Sequence, residues 1–261
     1  MLILYRQFLS AFLASLLCVL GVITLQFPRM QKMINRSAKI PLSELQREVS
    51  AEKIRLEILK KIPAFGYDNI FANAVFLSFL QYFGDDIARQ KTGYHLSPEY
   101  FEIILKHDPR FRLAYLSLST STSMYAAMPE RSVQITERGL QHLRPFLPKQ
   151  SYYIWRYKGI DELLFLGQSQ AAKKSFQSAA DWAKHYTDTE SQAIAAISQS
   201  TANFLASNPN SKTAQISAWA MVLQNGVDES TRKRVIQEIE KLGGRVIQTE
   251  LGAEVRFPQH D

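Results

Sequence analysis

The feature that most restricts the fold is a series of amphipathic segments, each about 12–18 residues long, that runs from residue 68 to about residue 243. Turns of two to four residues that contain Gly, Pro, Asp or Asn separate most of them, and connections this short place consecutive helices side by side as αα-hairpins. Strand-like alternation is confined to "RVIQTELGAEVRF", residues 245–257. The sequence therefore predicts an all-α domain over residues 66–244 and a C-terminal tail, residues 245–261, that contains a short β-hairpin.

The stretch "HDPRFRLAY" ends one helical segment and begins the next within a few residues. Pro109 disfavours helical geometry at Asp108 and has no N–H with which to continue the helical hydrogen bonds. The Asp-Pro pair is therefore predicted to end a helix and to set the angle of the one that follows.

A second pattern lies in "GQSQAAKKSFQSAADWA". Gly167 permits a tight turn between paired helices, and the small Ala172 lets them cross closely. Phe176 and Ala179 share a helix face and fill the gap to the next hairpin. This spacing resembles the second half of a tetratricopeptide (TPR) repeat.

Other residues extend the resemblance. Phe101 and the Asp108-Pro109 pair match the large-residue and terminal positions of the TPR pattern. Trp155 and Gly159 stand in the first half of the Gly167 repeat, although Gly159 lies one residue further from Gly167 than is usual. The resemblance implies a right-handed αα-hairpin solenoid that binds proteins.

The run "FLQYFGDD…TGYHLSPEYF…HDPRF" is also similar to membrane-anchored TPR-like proteins of cyanobacteria. That likeness implies a thylakoid membrane and a role as an assembly factor for a photosynthetic complex.

The stretch Gln7–Phe27 carries no charge across 21 positions. As a helix it would be about 31 Å long, which matches the hydrocarbon core of a bilayer. A cleaved signal peptide fits less well, because the nearest small-residue site, residues 36–38, has Arg36 at its first position. The sequence predicts a single-pass anchor over residues 1–28 that ends at Pro28, then a basic juxtamembrane segment and neck helix over residues 29–65.

The net charge of +7 is concentrated near the amino terminus. Residues 1–62 contain ten basic and four acidic residues, whereas the remainder contains 21 basic and 20 acidic ones. Positive charge beside an apolar stretch favours an anionic membrane surface over nucleic acid. The basic flank also favours a cytoplasmic location for the large C-terminal part, although a short basic N-terminal tail is equally typical of anchors that export it.

No pattern in the sequence indicates catalysis. The five histidines are dispersed, and the single cysteine, Cys18, excludes an intrachain disulfide and a cysteine-based zinc cluster. Hydroxyls in "SLSTSTS" lack a glycine elbow and a histidine at fixed spacing, so close helix packing explains them better. We therefore expect a protein that is not an enzyme and that needs no cofactor or metal.

The stretch "YYIWRYKGID" offers the best candidate recognition surface. On a helix, Trp155 and Gly159 share one face, while Tyr153 and Tyr157 share another beside Arg156. Aromatic residues and Arg dominate binding energies, so Tyr153, Arg156 and Tyr157 are the candidate partner-binding residues. A purely structural role for both faces remains the alternative. The function predicted is a membrane-tethered scaffold or adaptor, with a constitutive accessory subunit of a membrane complex as the second interpretation.

Overall fold

The computed structural model describes residues 2–34, 40–224, 229–249 and 252–258. Within these ranges helices dominate, and a two-stranded sheet follows them near the carboxyl end. The α-helices are α1 Leu2–Ile34, α2 Leu42–Leu59, α3 Asp68–Phe83, α4 Asp86–Thr92, α5 Ser97–His107, α6 Arg112–Leu118, α7 Pro129–Leu140, α8 Tyr152–Ile160, α9 Ser169–Ala183, α10 Thr189–Ser207, α11 Lys212–Gln224 and α12 Glu229–Lys241. The predicted all-α class is confirmed. Arg36 and Lys39 of the basic flank and residues 259–261 of the tail lie outside the described residues.

The chain divides into two compact units, residues 1–48 and 49–261. In the first unit α1 passes through Pro28 and ends at Ile34, so the prediction that Pro28 ends this helix is wrong. A proline removes one backbone donor, which bends or weakens a long helix without always ending it. Among the described residues, no helix is both long enough and apolar enough to cross a membrane.

The second unit contains the predicted series of helices, with one addition. The polar stretch of residues 85–95 contains the short helix α4, Asp86–Thr92. Asp85 caps it, because its carboxylate accepts a hydrogen bond from the backbone N–H of Ala88 at 3.2 Å. The polar sequence hid this helix because its seven residues form only two turns, too few for a clear apolar period.

The Asp-Pro pair ends α5 as predicted. The N–H of Asp108 still donates to the carbonyl of Ile104, and its carboxylate accepts from the N–H of Arg110 at 3.0 Å. The carbonyl of Pro109 accepts a hydrogen bond from the hydroxyl of Tyr115 at 2.8 Å. The turn is thus fixed on both sides, and α6 begins at Arg112.

Two helices continue directly into π-helical segments. α6 runs into π1, Ser119–Tyr125, and α8 runs into π2, Asp161–Phe165. Each segment is followed by a residue in the left-handed region, Ala127 with φ 54° and Gly167 with φ 64°. These two residues lie 40 positions apart in the sequence. The glycine predicted to permit a tight turn therefore does so, since this conformation favours glycine.

The backbone hydrogen bonds of the two turns also correspond. The N–H of Met128 donates to the carbonyl of Thr122 at 2.9 Å, and that of Gln168 donates to the carbonyl of Glu162 at 2.7 Å. α7 begins after the first turn and α9 after the second. The pairs α6–α7 and α8–α9 are thus joined by the same α–π–turn–α connection.

Helix α8 lies at the centre of the second unit. It packs against α6, α7 and α9, and α9 packs against α10. The helix α11 contacts α10 and α12, and α12 contacts the first strand. Because helices cover α8 on several sides, seven of its nine residues are buried.

The C-terminal hairpin is confirmed. Strands β1, Arg245–Thr249, and β2, Gly252–Arg256, pair in antiparallel register with Val246 opposite Val255. Gly244 precedes β1 where a Cβ atom would lie only 2.9 Å from the side chain of Ile239. Close packing on α12 therefore fixes the position at which the hairpin begins.

Candidate functional site

Of the three predicted partner-binding residues, Arg156 lines a groove on the surface of the second unit. Tyr153 is half-buried, and its hydroxyl donates to the carboxylate of Glu190 at 2.9 Å. Tyr157 is buried and its ring stacks with that of Tyr153 at 6.2 Å between centroids. The structure therefore brings the three residues together, but Tyr153 and Tyr157 support the helix beside the groove.

Five of the residues predicted to build the repeat are buried, namely Phe101, Gly159, Ala172, Phe176 and Ala179. Phe101 is fully buried, with its ring centroid 4.5 Å from that of Phe79. Gly159 lies against Phe176, and a Cβ atom there would lie 3.1 Å from the Phe176 ring. Ala172 and Ala179 are fully buried on α9, as the predicted close crossing requires.

Trp155 is half-buried rather than central. Its ring meets that of Trp182 edge to face, with the planes at 85° and the centroids 5.8 Å apart. Such a pair stabilises the α8–α9 contact by about 1 kcal/mol beyond its burial.

The groove has a volume of about 920 Å³, within the range of ligand-binding sites. Its walls come from α10, α11 and the segment of β2 and the residues after it, with Arg156 contributed by α8. The apolar lining residues are Ile194, Ile197, Phe204, Ala220, Met221, Val255, Phe257 and Pro258. The polar ones besides Arg156 are Ser200, Thr201, Thr213, Ser217, Gln224 and Glu254.

Arg156 is a buried cation that lacks an acidic partner among the described residues. Its side chain is 6% exposed, and none of the described carboxylates lies within 4.0 Å of its guanidinium. Its Nε atom is buried without a hydrogen-bond partner in the described part of the chain. Its guanidinium carbon lies over the ring of Tyr153, 6.0 Å from the ring centroid. Burial lowers the pKa of Arg156 from its ordinary value, because desolvation penalises the charged form.

A second buried cation on the same helix has the partners that Arg156 lacks. The ammonium group of Lys158 pairs with the carboxylates of Glu162 and Glu137, the latter at 3.2 Å. Glu162 also accepts from the hydroxyl of Ser175 at 2.5 Å. This ion pair is compensated within the chain, which suits a structural element.

The adjacent Asp161 is fully enclosed. Its two carboxylate oxygens accept from the hydroxyls of Ser119 at 2.7 Å and Ser132 at 2.6 Å. Burial raises the pKa of Asp161 to about 6, and the two serine hydrogen bonds limit that rise. Ser119 belongs to the "SLSTSTS" stretch, so one of its hydroxyls binds a buried carboxylate in addition to allowing close packing.

A smaller cavity of about 370 Å³ lies beside α5 and α7, and its carboxylate, Glu102, is also paired. Glu102 accepts from Lys60 at 2.6 Å and from Arg131 at 2.7 Å. These two cations hold the pKa of Glu102 below its ordinary value despite the opposing effect of burial. The charge of Glu102 is therefore compensated within the chain, unlike that of Arg156.

The groove residues on α10 were missed by the sequence analysis. Ile194, Ile197 and Phe204 follow helical spacing, but α10 also carries a core face that includes Ala202 and Leu205. Ile197 is 47% exposed and Phe204 38% exposed. A second apolar stripe on a helix that already has a buried one was the signal that could have identified this surface.

The groove is suited to binding, because it combines an apolar wall with a buried positive charge. In the described part of the chain, no three His, Cys, Asp or Glu side chains are placed to hold a metal ion. Comparisons of the chain with protein-family models, with curated proteins and with solved structures find no match.

Proposed function

We propose that this chain is a membrane-tethered scaffold that binds a partner protein in the groove beside Arg156. The observation that carries the proposal is the buried guanidinium without an acidic partner among the described residues. A buried unpaired charge is destabilising, so a ligand that supplies an anion gains affinity there. Arg at the base of an apolar pocket is also a frequent centre of binding energy in protein interfaces.

The two corresponding α–π–turn–α connections support the further proposal of a TPR-like solenoid over residues 66–244. The second connection carries the consensus residues Gly167 and Ala172. In the first, the same positions are held by Ala127 and Ser132, 40 residues earlier. Ser132 and Ala172 are both fully buried, so a small residue stands at the same crossing in each hairpin. Repeats of this kind present extended surfaces to partner proteins.

The tether is proposed from the uncharged stretch Gln7–Phe27 and its basic flank. Large apolar side chains of α1 are exposed, including Phe12 at 65%, Leu17 at 64% and Leu25 at 75%. An apolar surface of this kind favours contact with lipid or with another apolar helix. The charge asymmetry favours the cytoplasmic face for the second unit. By the resemblance to cyanobacterial TPR-like proteins, the proposed partner is a membrane complex, such as a photosynthetic complex during assembly.

Site-specific photocrosslinking in the native membrane tests this function. A benzophenone-bearing residue replaces Ile197 in the groove, and in a control chain it replaces Leu77, an exposed apolar residue of α3. We expect discrete adducts with a small set of membrane proteins from position 197 only. The adducts should decrease at least tenfold when Arg156→Met is added, because the anion of the partner loses its cation.

Identical adducts from both positions, or adducts that persist with Arg156→Met, would contradict a recognition role for the groove. The stoichiometry of the crosslinked complex separates the two forms of the proposal. An adaptor is substoichiometric and exchanges, whereas an accessory subunit copurifies in a constant ratio.

A further inference from the structure

The edge of β2 borders the groove. Glu254 and Val255 are consecutive residues of this strand, and both line the groove. Consecutive side chains of a strand point to opposite faces of the sheet. A groove that runs along the edge of the strand explains why two consecutive residues of β2 both line it. Arg245, Val246 and Ile247, whose side chains the structure describes in β1, do not line it, so the edge concerned is the one that faces away from β1.

The edge of β2 that faces away from β1 has backbone groups that can form further hydrogen bonds. Within the described residues the sheet has two strands, and β2 pairs with β1 alone. A strand at the edge of a sheet presents backbone N–H and C=O groups that can pair with another extended chain. Recognition of an extended peptide by addition to a sheet edge is a general binding mode, in which the main chain provides affinity and side-chain pockets provide specificity.

The side-chain chemistry of the groove fits the same occupant. Ile197, Phe204 and Met221 provide apolar lining, and Ser200, Ser217 and Gln224 provide polar groups. Successive side chains of an added strand would point to its two opposite faces, so a groove lined by both apolar and polar residues suits such a strand. The buried guanidinium of Arg156 favours one carboxylate in that strand, because Arg binds a carboxylate through two parallel hydrogen bonds.

We infer that the groove binds an extended, acidic segment of a partner protein, which pairs with β2 as a third strand and places an Asp or Glu carboxylate on Arg156. The inference rests on the proposed function and specifies the partner segment. It differs from binding of a helix, which would leave the edge of β2 without a backbone partner.

Carboxylates of the chain itself are the competing source of the anion. Glu254 lines the groove, but its carboxylate is exposed and lies 3.5 Å from the guanidinium of Arg256. Asp228 and Asp261 fall outside the described residues, a few positions after the lining residues Gln224 and Pro258 in the sequence. The test therefore uses full-length chains with Asp228→Asn and Asp261→Asn beside the unsubstituted chain.

The experiment measures binding of immobilised octapeptide libraries to the full-length chain in detergent micelles. The first library has β-branched and aromatic residues around a fixed central Glu. The second has Gln at that position, and the third keeps Glu but carries N-methyl groups on alternate backbone nitrogens, which block strand pairing. We expect the first library to yield peptides that bind at least tenfold more tightly than their counterparts in the other two.

Two substitutions test the role of Arg156 against a control. Arg156→Met should abolish the preference for Glu over Gln while leaving the effect of N-methylation, and the control Glu130→Gln, at an exposed carboxylate of α7 that does not line the groove, should leave both effects intact. Hydrogen exchange should show protection of the β2 amides that face away from β1 when a selected peptide binds. If the Asn-substituted chains bind Glu peptides far more tightly than the unsubstituted chain, an internal carboxylate occupies Arg156 in the resting protein, and the partner segment displaces it.

Equal binding of the N-methylated and unmodified peptides would overturn strand addition, and equal binding of the Glu and Gln peptides would overturn the acidic requirement. Failure of all three libraries would overturn the inference as a whole. The crosslinking experiment decides the proposed function separately, because adducts at position 197 that depend on Arg156 would persist if the partner segment were helical.

Discussion

Helix α8 carries two buried cations, Arg156 and Lys158, which are 6% and 7% exposed. Lys158 contacts two carboxylates and the hydroxyl of Ser175, so its charge is compensated within the chain. Arg156 faces tyrosine rings and a groove, and none of the described carboxylates pairs with it. The two residues are similar in burial and formal charge, and they differ in where the opposing charge comes from.

That difference separates a buried charge with a structural role from one with a binding role. A buried ion pair with its hydrogen bonds satisfied fixes one arrangement of the core, although its net contribution to stability is small. A buried charge without a partner destabilises the free protein and strengthens binding of an anion. By this reasoning Lys158 holds α8 against its neighbours and Arg156 recognises the partner.

The largest expected loss of stability comes from substitution of Lys158, the cation whose charge is compensated within the chain. Lys158→Met leaves the carboxylate of Glu162, which is 2% exposed, without its ammonium partner. We expect the free energy of unfolding to fall by about 4 kcal/mol. Urea unfolding followed by the fluorescence of the three tryptophans measures it. The double variant Lys158→Met with Glu162→Gln should recover most of the loss, and a single variant as stable as the wild type would remove the basis of the comparison.

The next effect concerns the buried carboxylate beside Glu162. The pKa of Asp161 is raised to about 6 in the folded protein, against 3.8 for an unperturbed aspartate. The unfolded chain therefore releases this proton first as the pH rises. The stability that the group contributes is complete below about pH 4 and is lost as the pH rises through 6. A difference of this size corresponds to about 3 kcal/mol.

Asp161→Asn isolates that contribution, because an amide keeps hydrogen bonding with Ser119 and Ser132 but does not ionise. The stability of the variant relative to the wild type should increase by about 3 kcal/mol between pH 4 and pH 7. The comparison of the two proteins cancels the opposite trend from carboxylates with lowered pKa values, such as Glu52 and Glu102. Parallel stability curves for the two proteins would mean that Asp161 is already ionised near pH 4.

The local sequence was sufficient to predict most of the helices. α5 ends before Asp108-Pro109 as predicted, because an Asp-Pro pair at the end of a helix acts through neighbouring backbone atoms. The hairpin was also predicted, from alternation on either side of Leu251-Gly252. Signals of this kind depend on a few consecutive residues.

The π-helical segments and the charged cluster could not be predicted in this way. The partners of Asp161 are Ser119 and Ser132, which are 42 and 29 positions away in the sequence. No local pattern indicates which hydroxyls of "SLSTSTS" will meet a carboxylate. The earlier of the two corresponding hairpins was also missed as a repeat, because Ala127 and Ser132 replace the consensus Gly and Ala.

The candidate site was predicted only in part for the same reason. Arg156 was singled out because Arg among aromatic residues is common in interfaces. The rest of the groove comes from residues of α10, α11 and β2 and from the residues after β2, all of which follow Arg156 by 38 or more positions in the sequence. The second apolar stripe of α10 can be identified as a binding surface only when the core face of that helix is known.

The smallest effect on stability is expected for Arg156→Met, and it is the sharpest test of the comparison. The substitution removes a buried charge and keeps a long apolar side chain, so the free energy of unfolding should stay unchanged or rise by about 1 kcal/mol. Groove crosslinking and the preference for acidic peptides should nevertheless be lost. Arg156→Lys is the matched control, which keeps the charge without the two-pronged geometry and should retain part of the binding. If Arg156→Met destabilised the protein as much as Lys158→Met, Arg156 would already have an acidic partner within the chain. The two cations would then be alike, and the groove would have no charge left to recognise an acidic segment.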